Sequence, residues 1–158
     1  MSVTHAKGFE AAGVAAGLKN SGGLDVALVV NRGPRQAAAA VFTSNRSLAN
    51  PVIWSKQVVA DGIVSAVLLN SGGANCYTGA QGFQVTHSTA ELTADELGIS
   101  ASDVVVCSTG LIGEQLDLVK MTAGIHSCFA ALSADGGTDA ATAIMTTDTH
   151  PKEVVVQG

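Results

Sequence analysis

The chain has 158 residues, of which 47% are hydrophobic and 13% charged, and its formal net charge is −5. That balance argues against intrinsic disorder, and eight scattered Lys and Arg leave no basis for a nucleic-acid or polybasic membrane-surface patch. The length suits one domain, and 25 Ala and 18 Gly against 4% aromatic residues demand a core of small side chains and close backbone contacts.

The opening Met1-Ser2-Val3-Thr4-His5-Ala6-Lys7-Gly8 has no apolar stretch of the signal-peptide kind. Apolar runs such as Ala37 to Phe42 and Ala66 to Leu69 fall far below the roughly 20 residues that cross a bilayer. Cys76, Cys107 and Cys128 are odd in number and widely spaced, which reads as reduced, cytoplasmic thiols. No His/Cys cluster has zinc spacing, so no metal is expected.

In chain order, Val26 to Asn31 is a wholly apolar run ending at Gly33-Pro34 and predicts a buried strand. Ala38 to Thr43 predicts a second. Pro51 suits the first turn of a helix reaching about Ala60. Val64 to Asn70 predicts a buried strand stopped by Ser71-Gly72-Gly73. From Ala80 to Leu97, Phe83, His87, Ala90, Ala94 and Leu97 recur at helical steps and predict one apolar face, with Gly98 closing the helix. Asp103 to Cys107 predicts a further strand, with Ser108-Thr109-Gly110 at its C-terminal end. Leu118, Met121, Ile125, Phe129 and Leu132 mark another helix, Thr138 to Met145 a small-residue helix, and Glu153 to Gln157 a last strand. Such alternation fits a layered α/β or α+β domain. An apolar strand at Gly158 with nothing after it suggests that more chain follows.

Three segments concentrate small polar residues at the ends of apolar elements, where α/β proteins commonly hold ligands. Ser108-Thr109-Gly110 offers a hydroxyl and a backbone N–H that can steady charge on a carbonyl oxygen, and Gly110 admits close approach to the main chain. The same three residues also fit a turn whose hydroxyls cap the next element. Asn70-Ser71-Gly72-Gly73-Ala74-Asn75 resembles a phosphate-cradling loop without its full signature, and equally a glycine turn that ends a strand. Thr146, Thr147 and Asp148 fit an amino-acid ammonium or carboxylate, or a helix end and a capped turn. His87 sits on an apolar face and reads as a core or interface histidine. Cys107 stands where a nucleophile would, with nothing nearby in sequence to lower its pKa. Spacing thus yields an oxyanion site without a nucleophile–base pair.

Lys7 to Lys19, Ala39 to Asn45, Leu69 to Asn75, Cys107 to Gly113 and Ala143 to Thr149 match, in order, segments of a known family. The chain resembles the N-terminal, α-chain portion of the ornithine acetyltransferases, the bifunctional glutamate N-acetyltransferases of arginine biosynthesis. The resemblance covers nearly all 158 residues. It implies a layered α/β (α+β) sandwich. It also implies a precursor about two and a half times this length that cuts itself at an Ala-Thr bond, freeing a Thr nucleophile at the head of a β-chain. That Thr takes the acetyl group from N2-acetylornithine and passes it to glutamate without a cofactor, and some members also accept acetyl-coenzyme A. By motif match, Thr109 and Gly110 form the oxyanion hole and Thr146 and Thr147 bind substrate. The partner is the β-chain, in an α2β2 heterotetramer, in the cytoplasm. On this reading residues 1–158 are a single, incomplete N-terminal domain that lacks the nucleophile.

Some positions depart from the family pattern. Ala-Asn-Ala-Cys-Thr-Gly is replaced by Ala74-Asn75-Cys76-Tyr77-Thr78-Gly79, and Leu-Pro-Met-Asp-Lys by Leu116-Asp117-Leu118-Val119-Lys120. Ala141-Thr142 is the one Ala-Thr pair, and it lacks the glycine- and methionine-rich cleavage context. Two other classes fit the pattern: a non-catalytic remnant serving as a binding or assembly module, and a nucleotide binder built on Asn70 to Asn75.

Overall fold

A computed structural model describes residues 2–157. Four strands form one mixed sheet in the order β1-β2-β3-β4. β1 is Phe9–Val14, β2 Val26–Asn31, β3 Ala66–Gly73 and β4 Val104–Leu111. β1 and β3 run antiparallel to β2, whereas β4 runs parallel to β3. A parallel neighbour requires a crossover, and α2 (Gly79–Leu97) provides it.

Strand alternation sorts the sheet into two unlike faces. Ala12, Val26, Leu28, Val30, Ala66, Leu68, Val104 and Val106 face the main core. There they meet Ala90 and Ala94 of α2, and Met121, Ile125 and Cys128 of α3 (Leu118–Ala131). Trp54 and Ser55 of α1 (Asn50–Val58) close the free edge of β4: the indole donates to the Val104 carbonyl (2.9 Å) and the Ser55 hydroxyl to that of Val106 (2.8 Å). The other face is only partly covered. Short α4 (Gly137–Ala143) packs its alanines on Ala11 and Ala27, leaving Val29, Val67, Leu69 and Val105 half-buried.

The small-residue composition has its use at α4. A Cβ on Gly136 would stand 1.9 Å from the Ala11 carbonyl oxygen, and one on Gly13 2.1 Å from that of Asp139. Helix and sheet touch backbone to backbone here.

The sequence reading holds for β2, α1, α2 and α3, and α4 is two residues shorter at its C-terminal end than expected. It fails at five places. Ala38–Thr43 is not a strand; beyond a single bridge between Ala37 and Ile63 it has no partner, and Val41 is 99% exposed. Glu153–Gln157 is extended but unpaired and largely exposed. The segment Phe9–Val14 is a strand that propensity did not mark, since alanine and glycine are poor strand formers. Finally, Ser71-Gly72-Gly73 does not stop β3 but continues it, and Ser108 to Leu111 likewise continue β4 past the expected end at Cys107.

On α2, Ala90 and Ala94 are buried as expected, but Phe83, His87 and Leu97 are half-buried. The fully buried line is Thr86, Thr89 and Thr93. Their hydroxyls donate to helix carbonyls three or four residues earlier, which satisfies them without leaving the helix. His87 stacks edge-on against Trp54, with ring centres 5.0 Å apart, and its Nδ1 lies 3.7 Å from Glu91.

Gly136→Ala is expected to destabilise the protein by about 1–3 kcal/mol, the usual range for overpacking, read as a lowered thermal midpoint by circular dichroism. Gly23→Ala, where the new methyl meets only the Ser21 hydroxyl at 3.8 Å, is expected to leave the midpoint in place.

Candidate active site

The site forms where the parallel pair β3–β4 runs on into its polar ends. Asn70, Ser71, Gly72 and Gly73 lie opposite Ser108, Thr109, Gly110 and Leu111. Alternation carries Asn70 and Ser108 to the main-core face. It carries Ser71 and Thr109 to the open face. Two of the three polar segments picked out in the sequence are therefore one stretch of sheet.

Gly110 has φ +128°, and a Cβ there would stand 2.7 Å from the Gly73 nitrogen. Only glycine lets β4 lie this close to β3. Ser55 Oγ also accepts from the Val106 N–H (3.1 Å), so the even-numbered backbone groups of β4 point away from β3. By the same alternation the Gly110 N–H points to that outer edge. α1 covers this edge only as far as Val106.

The third segment arrives from α4. The buried Ser71 hydroxyl donates to the carbonyl of Ala143, the last residue of α4. This joint brings Thr146 and Thr147 to the mouth of the β3–β4 pair. The Thr146 N–H donates to Asp148 Oδ2 (3.3 Å), and Lys152 pairs with the same carboxylate. The Lys152 hydrogen bond, helped by the Thr146 N–H, holds the Asp148 carboxyl below its ordinary pKa.

A fourth wall was not anticipated. Asp25, fully buried, accepts from the backbone N–H groups of Ala16 (2.6 Å), Leu18 (2.6 Å) and Lys19 (3.0 Å). This fastens the loop between β1 and β2 beside Gly72. The only sequence signal was a lone Asp directly ahead of an apolar run. Together Leu18, Lys19, Asn20, Ser21, Gly72, Thr109, Gly110, Leu111, Glu114, Thr146 and Thr147 line one cleft of about 540 Å³. Lys19 donates to the Leu24 carbonyl (2.9 Å), and partial burial lowers its pKa although Asp25 pulls the other way.

All four candidate residues, Thr109, Gly110, Thr146 and Thr147, thus meet in a single cleft. The cysteine and histidine candidates fall outside it. Cys107 is surface-exposed on the open face, yet the protein around it pushes its thiol pKa up, contrary to what a nucleophile needs. Burial pushes the Cys128 thiol up to about 12. Asn70 to Gly73 is paired strand, with Asn70 and Ser71 buried, so it offers no open phosphate cradle. Ala141-Thr142 lies inside α4, in helical backbone. His126, without an acidic neighbour in sequence, pairs with Glu96 across α2 and α3. No group of three His, Cys, Asp or Glu among the described residues is placed to hold a metal ion.

The departures from the family pattern have local explanations. Asp117 caps α3, accepting from the Val119 (2.9 Å) and Lys120 (3.2 Å) N–H groups. Tyr77 is exposed with φ +59°, and its hydroxyl meets that of Ser47.

A mixed four-stranded sheet flanked by α-helices is the α+β architecture of solved ornithine acetyltransferases. The crystal structure of ornithine acetyltransferase complexed with ornithine from Mycobacterium tuberculosis superposes with a TM-score of 0.93 at 52% identity, over 94% of this chain and 80% of that one. The Bacillus halodurans arginine biosynthesis bifunctional protein argJ gives 0.86 at 35% identity, over 94% and 78%. The arginine biosynthesis bifunctional protein ArgJ of Streptomyces coelicolor is 60% identical over 99% of this chain, and that of Thermobifida fusca 59% over 96%. The ArgJ family model matches residues 10–158. The chain belongs to the ArgJ family. It spans 41% of the Streptomyces coelicolor protein and 40% of the Thermobifida fusca one.

Because the Asp148 pKa is depressed, the clasp on Thr146 is in place above the ordinary carboxylate midpoint near pH ~4. It is lost only as the pH falls through the lowered value. Protection of the Thr146 amide, taken relative to the unstructured exchange rate at the same pH, is expected to hold at about pH 4 and to fall at lower pH; Asp148→Ala removes it at about pH 4.

Proposed function

We propose that this chain is the N-terminal portion of a two-chain acetyltransferase that moves the acetyl group of N2-acetylornithine to glutamate in arginine biosynthesis. The observation that carries this reading is the meeting of Thr109, Gly110, Thr146 and Thr147 in one cleft. The Thr109 hydroxyl and the Gly110 N–H are the donors to the acetyl oxygen. Thr146 and Thr147 bind the amino-acid part of the substrate.

The partner chain supplies a threonine whose hydroxyl attacks the acetyl carbonyl. The carbonyl electron pair moves to oxygen, where Thr109 and Gly110 stabilise it. Its return breaks the C–N bond, and ornithine leaves as the amine after taking the hydroxyl's proton. The acetyl-threonine ester is then attacked by the glutamate amine. A second oxyanion forms in the same place, and its collapse restores the threonine hydroxyl and releases N-acetylglutamate. No cofactor enters either half. Acetyl-coenzyme A, a thioester, can serve as an alternative donor to the same threonine. The setting is the cytoplasm, where amino-acid biosynthesis runs.

Two further observations support a partner chain. This chain covers 80% of the crystallised Mycobacterium tuberculosis polypeptide but only 41% of the Streptomyces coelicolor protein. The crystallised polypeptide is therefore about half as long, in keeping with a precursor divided in two. The open sheet face also carries an apolar groove of about 460 Å³ beside Val29, Val67, Leu69 and Ile144. Apolar surface of this kind is normally covered in a working protein, here by the β-chain of an α2β2 assembly.

In the full-length protein, Thr109→Ala is expected to lower kcat by about 100- to 1,000-fold, the usual cost of one oxyanion donor. An unchanged kcat removes Thr109 from the mechanism. The isolated 158-residue chain is expected to show no turnover of acetylornithine plus glutamate by chromatographic assay. Sustained turnover would show that the nucleophile lies within it.

A further inference from the structure

Beyond the oxyanion donors themselves, β3 and β4 are pinned together by one buried polar clamp. Asn70 is 2% exposed. Its Oδ1 accepts from Ser108 Oγ at 2.6 Å, and its Nδ2 donates to the Gly73 carbonyl at 3.1 Å. A carbonyl can only accept, so the Gly73 contact fixes the orientation of the amide. Ser108 must then be the donor. We infer that Asn70 and Ser108 are positioning residues for catalysis, holding Thr109 and Gly110 at the spacing that the acetyl oxygen requires. This rests on the oxyanion role proposed above.

The placement carries the argument. Asn70 and Ser108 are cross-strand partners one step before Ser71 and Thr109, and two before Gly72 and Gly110. One arm of the amide grips β4 just ahead of the donors. The other grips β3 at Gly73, against whose nitrogen Gly110 lies. The donor pair is bracketed on both strands by a single side chain. One step earlier on the same face, Leu68 and Val106 form an apolar pair that packs into the main core. Apolar contact is non-directional. A hydrogen-bonded amide fixes both distance and direction. A buried amide is costly unless satisfied, and each arm used here goes to the strand pair that carries the donors.

The test uses the full-length protein, with Thr109→Ala as reference. Ser108→Ala is expected to lower kcat about tenfold, with KM for acetylornithine and for glutamate unchanged. Ser108→Thr, which keeps the hydroxyl, is expected to recover most of that loss. The double variant Ser108→Ala/Thr109→Ala is expected to lose less than the product of the two single losses, since a hydroxyl already missing cannot also be misplaced. Asn70→Ala is expected to behave as Ser108→Ala does; if it fails to fold, the Ser108 series decides alone. Losses that multiply in the double variant, a Ser108→Ala effect confined to thermal midpoint or KM, or no recovery with threonine would overturn the inference while leaving the oxyanion reading intact. An unaffected Thr109→Ala would overturn both.

Discussion

The close parallel contact between β3 and β4 governs everything else in this molecule. Gly110 lies so near Gly72 and Gly73 that no side chain fits between them. That single approach sets where the Gly110 N–H and the Thr109 hydroxyl stand. Without it, the polar ends of the strands would splay into ordinary loops, as a reading of glycines as strand breakers expects.

Around this contact the fold divides its labour between two faces. The main-core face is packed by α2 and α3 against valines and leucines and gives the sheet its stability. The open face is spare and polar at its upper end, where the cleft lies. β3 joins the two: Asn70 turns inward to Ser108, and Ser71 turns outward to the end of α4. Its backbone N–H also meets the Asp25 carbonyl at 2.8 Å. Three segments distant in sequence (β4, the end of α4 and the residue ahead of β2) are thus tied to two consecutive residues of one strand. A binding site built this way is positioned by the sheet and not by the loops' own preferences.

Among the described residues, the cleft is lined by the threonines Thr109, Thr146 and Thr147 and by Gly110, with no cysteine or histidine. The exposed Cys107 lies outside it and has a raised pKa, while His87 and His126 pair with Glu91 and Glu96. The chain belongs to the ArgJ family and spans 41% of the Streptomyces coelicolor relative.

Much of the local structure was legible because it depends on local chemistry. The valine run of β2, Pro51 at the start of α1, the helical spacing of Met121 and Ile125, and Gly98 with φ +66° at the end of α2 all act within a few residues. Thr109, Gly110, Thr146 and Thr147 were legible as candidates from motif resemblance and small polar composition. Their convergence was not, since it depends on contacts between residues far apart in the chain: Asp25 with the loop before it, Ser71 with Ala143, Asn70 with Ser108. The tertiary structure alone also decided that Phe9–Val14 pairs with β2, that the Val41 segment finds no partner, and that Ser71-Gly72-Gly73 continues a strand. Strand pairing is a property of two segments at once, and no pattern within one of them can fix it.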